Sequence, residues 1–136
     1  KGAEDPDNRR DFPGGFPGDE RNAFTAEGRT EQEQKIFTAV QQLLQIRQKH
    51  EALRGGEMQF LRDGNQMTYL RSNNGDRVIV AINNADQAAS WKVTLPAGSF
   101  PEGVKLIDLL SQSSATVKKG KLKIKLAARS AAIFHQ

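Results

Sequence analysis

The chain has 136 residues, 37% of them hydrophobic, with 20 Lys/Arg against 16 Asp/Glu and no cysteine. That length holds one domain with a true core plus an appendage. The absence of cysteine excludes disulfides, thiolate catalysis and Cys-based zinc sites. No apolar run is long enough to span a membrane, and no signal peptide is visible. The chain opens on Lys1-Gly2-Ala3-Glu4 instead of Met, so the expectation is a fragment or a processed product.

The net charge of +4 is unevenly placed. Residues 1–34 carry five basic and nine acidic side chains (net −4), and the remainder carries fifteen and seven (net +8). Basic character raises nucleic acid as a partner. Lys121, Lys123 and Lys125, however, alternate with Leu122, Ile124 and Leu126. That is the solvated face of an amphipathic strand, whose lysines also discourage edge-to-edge pairing. No aromatic interleaves them to stack bases, so no nucleic-acid partner is expected.

Residues 1–29 read as loop. Pro6, Pro13 and Pro17 stiffen it, Gly14, Gly15 and Gly18 kink it, and Phe12, Phe16 and Phe24 give it aromatics. Long loops in compact proteins are functional or disordered, and disordered segments are poor in aromatics. This loop is therefore expected to face a ligand.

A helix is predicted over 31–50. Ile36, Val40, Leu43, Leu44 and Arg47 recur at helical spacing with Phe37 beside them. Thr30 and Glu33 have the spacing of a capping box, and Gly55-Gly56 supply the stop. The broad apolar face of this helix needs a partner, either the β region that follows or chain upstream.

Residues 57–136 switch to period two. Strands are predicted at 57–61, 66–71, 77–82, 89–95, 104–109, 115–118, 121–127 and 131–135, separated by turns such as Asn74-Gly75 and Lys119-Gly120. Eight short strands so spaced indicate an antiparallel sandwich or barrel. Trp91, Val93 and Leu95 share one face and are expected in the core.

Chemistry is sparse. No P-loop, dinucleotide fingerprint, EF-hand or zinc motif appears. His50 and His135 are far apart in sequence, which argues against a His-rich metal site. Glycoside hydrolysis needs two carboxylates, about 5–5.5 Å apart for retention. Glu4, Asp5, Asp7, Asp11, Asp19 and Glu20 offer pairs, but nothing in the sequence buries one to raise its pKa. Asp5 and Arg9 suit binding better. A carboxylate and a planar guanidinium on one side of a turn match adjacent hydroxyls, with Phe12 or Phe16 as an apolar platform. Taken alone, the same pair is more simply a structural salt bridge pinning the loop.

At this point the residues resemble a known family. Asp5-Pro6-Asp7-Asn8-Arg9 resembles the segment after the eighth barrel strand in the α-amylase family of glycoside hydrolases. Arg10-Asp11-Phe12-Pro13-Gly14-Gly15-Phe16 and Asn22-Ala23-Phe24-Thr25 are similar to its neopullulanase and cyclomaltodextrinase branch. Leu43-Leu44, Arg47, His50, Ala52-Leu53 and Gly55 resemble the last barrel helix. Val78-Ile79-Val80-Ala81-Ile82-Asn83-Asn84 and Leu106-Ile107-Asp108-Leu109-Leu110 resemble the C-terminal all-β domain.

The resemblance implies a mainly β fold: a long loop and one helix from the end of a (β/α)8 barrel over 1–55, then an antiparallel Greek-key sandwich over 56–136. It implies a parent enzyme that is a retaining α-glucan hydrolase or transglycosylase acting on starch-derived oligosaccharides. In it, Asp5 and Arg9 hold a glucose unit, and Phe12 and Phe16 shape the cleft. The catalytic carboxylates of such enzymes come from earlier barrel strands, so no catalytic residue, cofactor or metal ligand carries over to this chain. The partners implied are a maltooligosaccharide and the rest of the barrel; the resemblance points to a bacterial periplasmic or cell-envelope setting. The alternative is a stand-alone carbohydrate-binding or interaction sandwich, which requires exposed, coplanar aromatics such as Tyr69 and Trp91.

Overall fold

A computed structural model describes residues 11–136. The chain divides into a first unit ending at Leu43 and a second, Leu44–Gln136.

In the first unit the capping box forms as the sequence predicts. The Glu33 amide donates to Thr30 Oγ1 at 3.3 Å, and the Thr30 amide donates to Glu33 Oε2 at 2.8 Å. These bonds satisfy donors that every helix start leaves unpaired. Helix α1 (Glu31–Lys49) begins there. The same carboxylate takes both arms of the Arg21 guanidinium, each at 2.7 Å, and Arg21 also donates to the Gly28 carbonyl at 2.9 Å. One acid thus caps the helix and clasps the preceding loop. Arg21, first, and the Thr30 amide hold the Glu33 carboxyl down at about 2.

The apolar stripe of α1 has no cover among the described residues. Ile36, Val40, Leu43 and Leu44 are 47–59% exposed, and Phe37 is 42% exposed. The Arg29 guanidinium lies 3.8 Å from the Phe37 ring centre, a cation–π contact, while its Nε donates to Gln34.

The second unit opens with the end of α1. The predicted helix does not run unbroken to the glycines: His50 is extended, and a short helix α2 (Glu51–Gly55) follows. Gly56 ends α2 in an extended conformation, not the left-handed one that usually favours glycine there. Its role is close approach, because a Cβ would lie 2.6 Å from both the Ala52 and Ser72 carbonyl oxygens.

Eight strands follow: β1 (Glu57–Arg62), β2 (Gln66–Asn73), β3 (Asp76–Asn83), β4 (Ala89–Thr94), β5 (Lys105–Asp108), β6 (Ser114–Lys118), β7 (Lys121–Leu126) and β8 (Ser130–His135). All eight predicted strands are present. Every pairing is antiparallel, in the order β1-β2-β3-β8-β5-β6-β7-β4. Three hairpin-joined strands, β5, β6 and β7, are flanked by β8 on one side and β4 on the other, two overlapping Greek keys. Tight reversals use left-handed residues where the sequence placed turns, Asn74-Gly75 and Lys119-Gly120.

The layer between β4/β7 and β2/β3/β8 is the main core. Leu70, Ile79, Trp91, Val93, Leu106, Leu122, Ile124 and Phe134 meet there. Trp91 donates its indole N–H to the buried Thr68 hydroxyl at 3.0 Å, which removes the cost of burying both polar atoms. A second cluster lies on the opposite face of β3 and β8, where Val78, Val80 and Ile133 meet Ile46 and Ala52. Buried polar side chains pin the connections. Asn83 donates to the Gln87 and Ala127 carbonyls at 2.8 and 2.7 Å. Asp108 accepts the amides of Leu110, Ser111 and Ile133.

Lys121, Lys123 and Lys125 face solvent as expected, at the outer positions of an alternating strand. Strand β7 pairs with β4 along its whole length but with β6 only at Lys121 and Leu122, so Lys123 and Lys125 lie where one side of the strand has no ladder partner.

Two expectations follow. Leu122→Ala should destabilise the fold by about 2–5 kcal/mol, as for other buried leucines, whereas Lys123→Ala should stay within about 0.5 kcal/mol. Urea unfolding of the two variants checks the contrast, and similar costs would contradict the register. Because the folded pKa of Glu33 lies below its ordinary value, its clasp contributes fully above about pH 5 and is lost as pH falls through about 2. Glu33→Ala should therefore lower hydrogen-exchange protection of the Thr30 amide several-fold at pH 7. Wild type and variant should converge as pH falls toward 2; equal protection at pH 7 would contradict the clasp.

Candidate functional site

Asp5 and Arg9 lie outside the described residues, so the described part of the expected site begins at Asp11. Its loop is built from internal hydrogen bonds. Asp19 Oδ2 accepts the amides of Gly14 at 2.7 Å and Phe16 at 3.0 Å. The Phe16 amide, then that of Gly14, lowers the Asp19 pKa. Asp19 is therefore a turn cap and not a free acid.

Asn22 organises the rest. Its side-chain oxygen accepts the Phe24 amide at 3.0 Å, and its carbonyl accepts the Thr25 hydroxyl. A Cβ at Gly14, whose φ is +100°, would lie 2.3 Å from Asn22 Oδ1, and one at Gly28 would lie 1.8 Å from the Asn22 carbonyl oxygen. The backbone passes so close on both sides that neither position admits a side chain. Ala23, 3% exposed, donates its amide to the Pro13 carbonyl at 2.9 Å. Arg29 closes the turn by donating to the Ala23 and Phe24 carbonyls.

This scaffold presents its aromatics outward. Phe12, Phe16 and Phe24 are 56%, 62% and 66% exposed. Phe12 packs on Phe24 with ring centres 4.7 Å apart, tilted by 54°. Phe24, which the sequence reading leaves out of the cleft, is the ring that Phe12 touches. Arg21, Asp19 and Arg29, which hold the loop, carry no motif that would have exposed those roles in advance.

A sugar platform on the sandwich does not form from the residues it would require. Trp91 is 6% exposed and sits in the core, while Tyr69 lies on the opposite face. Tyr69 meets the exposed Phe60 edge-on, with ring centres 6.2 Å apart.

A second polar constellation lies in the second unit. The two histidines meet, 85 residues apart in the chain, with ring centres 4.3 Å apart. Asp76 Oδ1 stands between them, 3.4 Å from His50 Nδ1 and 3.2 Å from His135 Nε2. Asp76 Oδ2 accepts the Ala52 amide at 2.9 Å, so the carboxylate caps α2, whose own N-cap His50 makes no side-chain cap bond. Burial opposes ionisation of Asp76, but the Ala52 amide and His50 outweigh it and lower its pKa. The argument from sequence separation thus fails: hairpin β2–β3 delivers Asp76 and the end of β8 delivers His135 to the break between α1 and α2.

Comparison with known proteins identifies the β-strand region. The pattern of the α-amylase C-terminal domain matches residues 56–134. An α-amylase from Geobacillus thermoleovorans, complexed with acarbose, is similar in structure over 96% of this chain, with a TM-score of 0.73 and 21% identity. An Anoxybacillus α-amylase is similar over 96% at a TM-score of 0.70 and 24% identity. A debranching enzyme from Nostoc punctiforme, soaked with acarbose, is similar over 76% at a TM-score of 0.62 and 32% identity. The chain spans 26%, 25% and 20% of those three proteins. With the eight-stranded Greek-key domain in place and its pattern matched across β1–β8, the chain belongs to the α-amylase C-terminal domain family.

Proposed function

We propose that this chain is the closing part of a retaining α-glucan hydrolase or transglycosylase acting on starch-derived oligosaccharides. Residues 1–55 are the last substrate loop and last helix of its catalytic barrel, and 56–136 are its C-terminal domain. The observation that carries the proposal is the uncovered apolar stripe Ile36, Phe37, Val40, Leu43 and Leu44, directly preceding a domain of the α-amylase C-terminal family. A helix with such a stripe needs an apolar partner. In a (β/α)8 barrel the outer helices find it on the strands within.

In this reading Asp5 and Arg9 bind a glucose unit beside the scissile bond, since loops at the ends of barrel strands form the active site. Phe12 and Phe16 wall the cleft, with Phe24 supporting Phe12. The neopullulanase or cyclomaltodextrinase branch is the one we favour. Within its loop pattern, Gly14 is required where Asn22 fills the space of a side chain. The nucleophile and acid/base belong to earlier barrel strands, so this chain positions substrate and performs no bond cleavage.

Purified alone, the chain should show no turnover of maltooligosaccharides, pullulan or cyclodextrins; reproducible hydrolysis would refute the assignment. In the parent enzyme, Arg9→Ala should lower kcat/KM for maltooligosaccharides by about 10- to 100-fold, from roughly 1.5–3 kcal/mol for hydrogen bonds to a charged group. Unchanged kinetics across several substrate lengths would make Arg9 a structural residue.

A further inference from the structure

We infer that His50, Asp76 and His135 form a binding site for a first-row divalent metal ion, zinc in the first instance. The inference rests on the second unit alone and is independent of the proposed α-glucan chemistry. Three ligand groups of the right kind converge: one ligand atom each of His50, Asp76 and His135 lies within 4.8 Å of the others. Two imidazoles and one carboxylate are a donor set that suits zinc and its neighbours, whereas calcium and magnesium prefer oxygen alone.

The spacing from the carboxylate fits as well. Bonds of about 2.0–2.1 Å at tetrahedral angles place neighbouring ligand atoms about 3.3 Å apart. The two separations from Asp76 Oδ1 are 3.4 and 3.2 Å. The carboxylate is already oriented, because its other oxygen is held by the Ala52 amide at 2.9 Å. Such a fixed outer partner is what aims a metal-binding carboxylate. The side chains of His50, Asp76 and His135 are 14%, 19% and 31% exposed. The cluster is shielded on the α2 side and open enough on the His135 side for a solvent molecule to complete the coordination.

An ion here joins three distant points of the chain: the break between α1 and α2, the start of β3 and the end of β8. It replaces two weak hydrogen bonds to one carboxylate oxygen with bonds to a common centre. Binding only to the folded state raises stability by mass action. An ion held there fastens the end of the helix to the outer face of the sheet.

The test is a zinc titration of the chain, with Co2+ as an optical probe. One equivalent should bind, raise the thermal midpoint, and give the intense visible absorption of low-coordinate Co2+. His50→Ala and His135→Ala should each weaken zinc binding at least tenfold, which is the lower end of what even outer-shell partners contribute. Asp63→Asn, on the exposed β1–β2 turn, should bind as wild type does. Histidine side-chain NMR of the unaltered chain guards against misfolded variants: one equivalent of zinc should move the imidazole resonances of both histidines together. No stoichiometric binding at 100 equivalents of zinc would overturn the inference. So would binding that survives the double His50→Ala/His135→Ala substitution, or zinc-induced shifts confined to other residues.

Discussion

Strand β3 must be covered on both faces, and the organisation of the second unit follows from that requirement. Val78, Ile79, Val80 and Ala81 are consecutive and all buried, at 0–8% exposure. Side chains alternate across a strand, so four in a row can be buried only where both faces of the sheet are covered. Ile79 and Ala81 turn into the layer shared with β4 and β7. Val78 and Val80 turn the other way, onto Ile46 and Ala52. The sandwich therefore cannot complete its own burial without the end of α1 and the short α2. This is why the boundary between the units falls inside α1, after Leu43. It is also why Gly56 must let the α2 carbonyl of Ala52 and the β2 carbonyl of Ser72 approach so closely.

The same helix carries two different obligations along its length. Its C-terminal end is committed to the sandwich through Ile46, and its break is fixed by the Asp76 carboxylate. Its first turns are committed to the loop through Thr30, Glu33 and Arg21. Between them the stripe from Ile36 to Leu44 is uncovered. Hydrogen bonds from Asp19, Asn22, Arg21 and Arg29 tie the loop to itself and leave its phenylalanines exposed. A loop ordered before binding lowers the entropic cost of association. In the proposed reading this is what a substrate loop at the rim of a barrel needs.

The sequence was most legible where a single local rule decides the outcome. The capping box, the eight strands, the burial of Trp91 and the Asn74-Gly75 turn all follow from spacing and turn chemistry. It was less legible where distant residues act together. Gly55-Gly56 looked like a left-handed stop, yet Gly56 is extended and needed for contact with β2. Hydrophobic alternation shows which face of β7 is wet, but not that β6 pairs with only its first two residues. The two histidines were set aside for their separation, and only the Greek-key return of β8 beside β3 and β5 brings them to one carboxylate. Phe24 had the same composition signal as Phe12 and Phe16, and nothing local told which two rings would touch.

The central claim is that the stripe of α1 is an interface with preceding chain of the same protein. Hydrogen-exchange mass spectrometry on residues 36–44 addresses it directly, comparing this chain with the longer parent enzyme. The account predicts strong additional protection of that segment in the parent, while β3, already covered on both faces, exchanges alike in the two. Equal exchange of residues 36–44 in both proteins would contradict it.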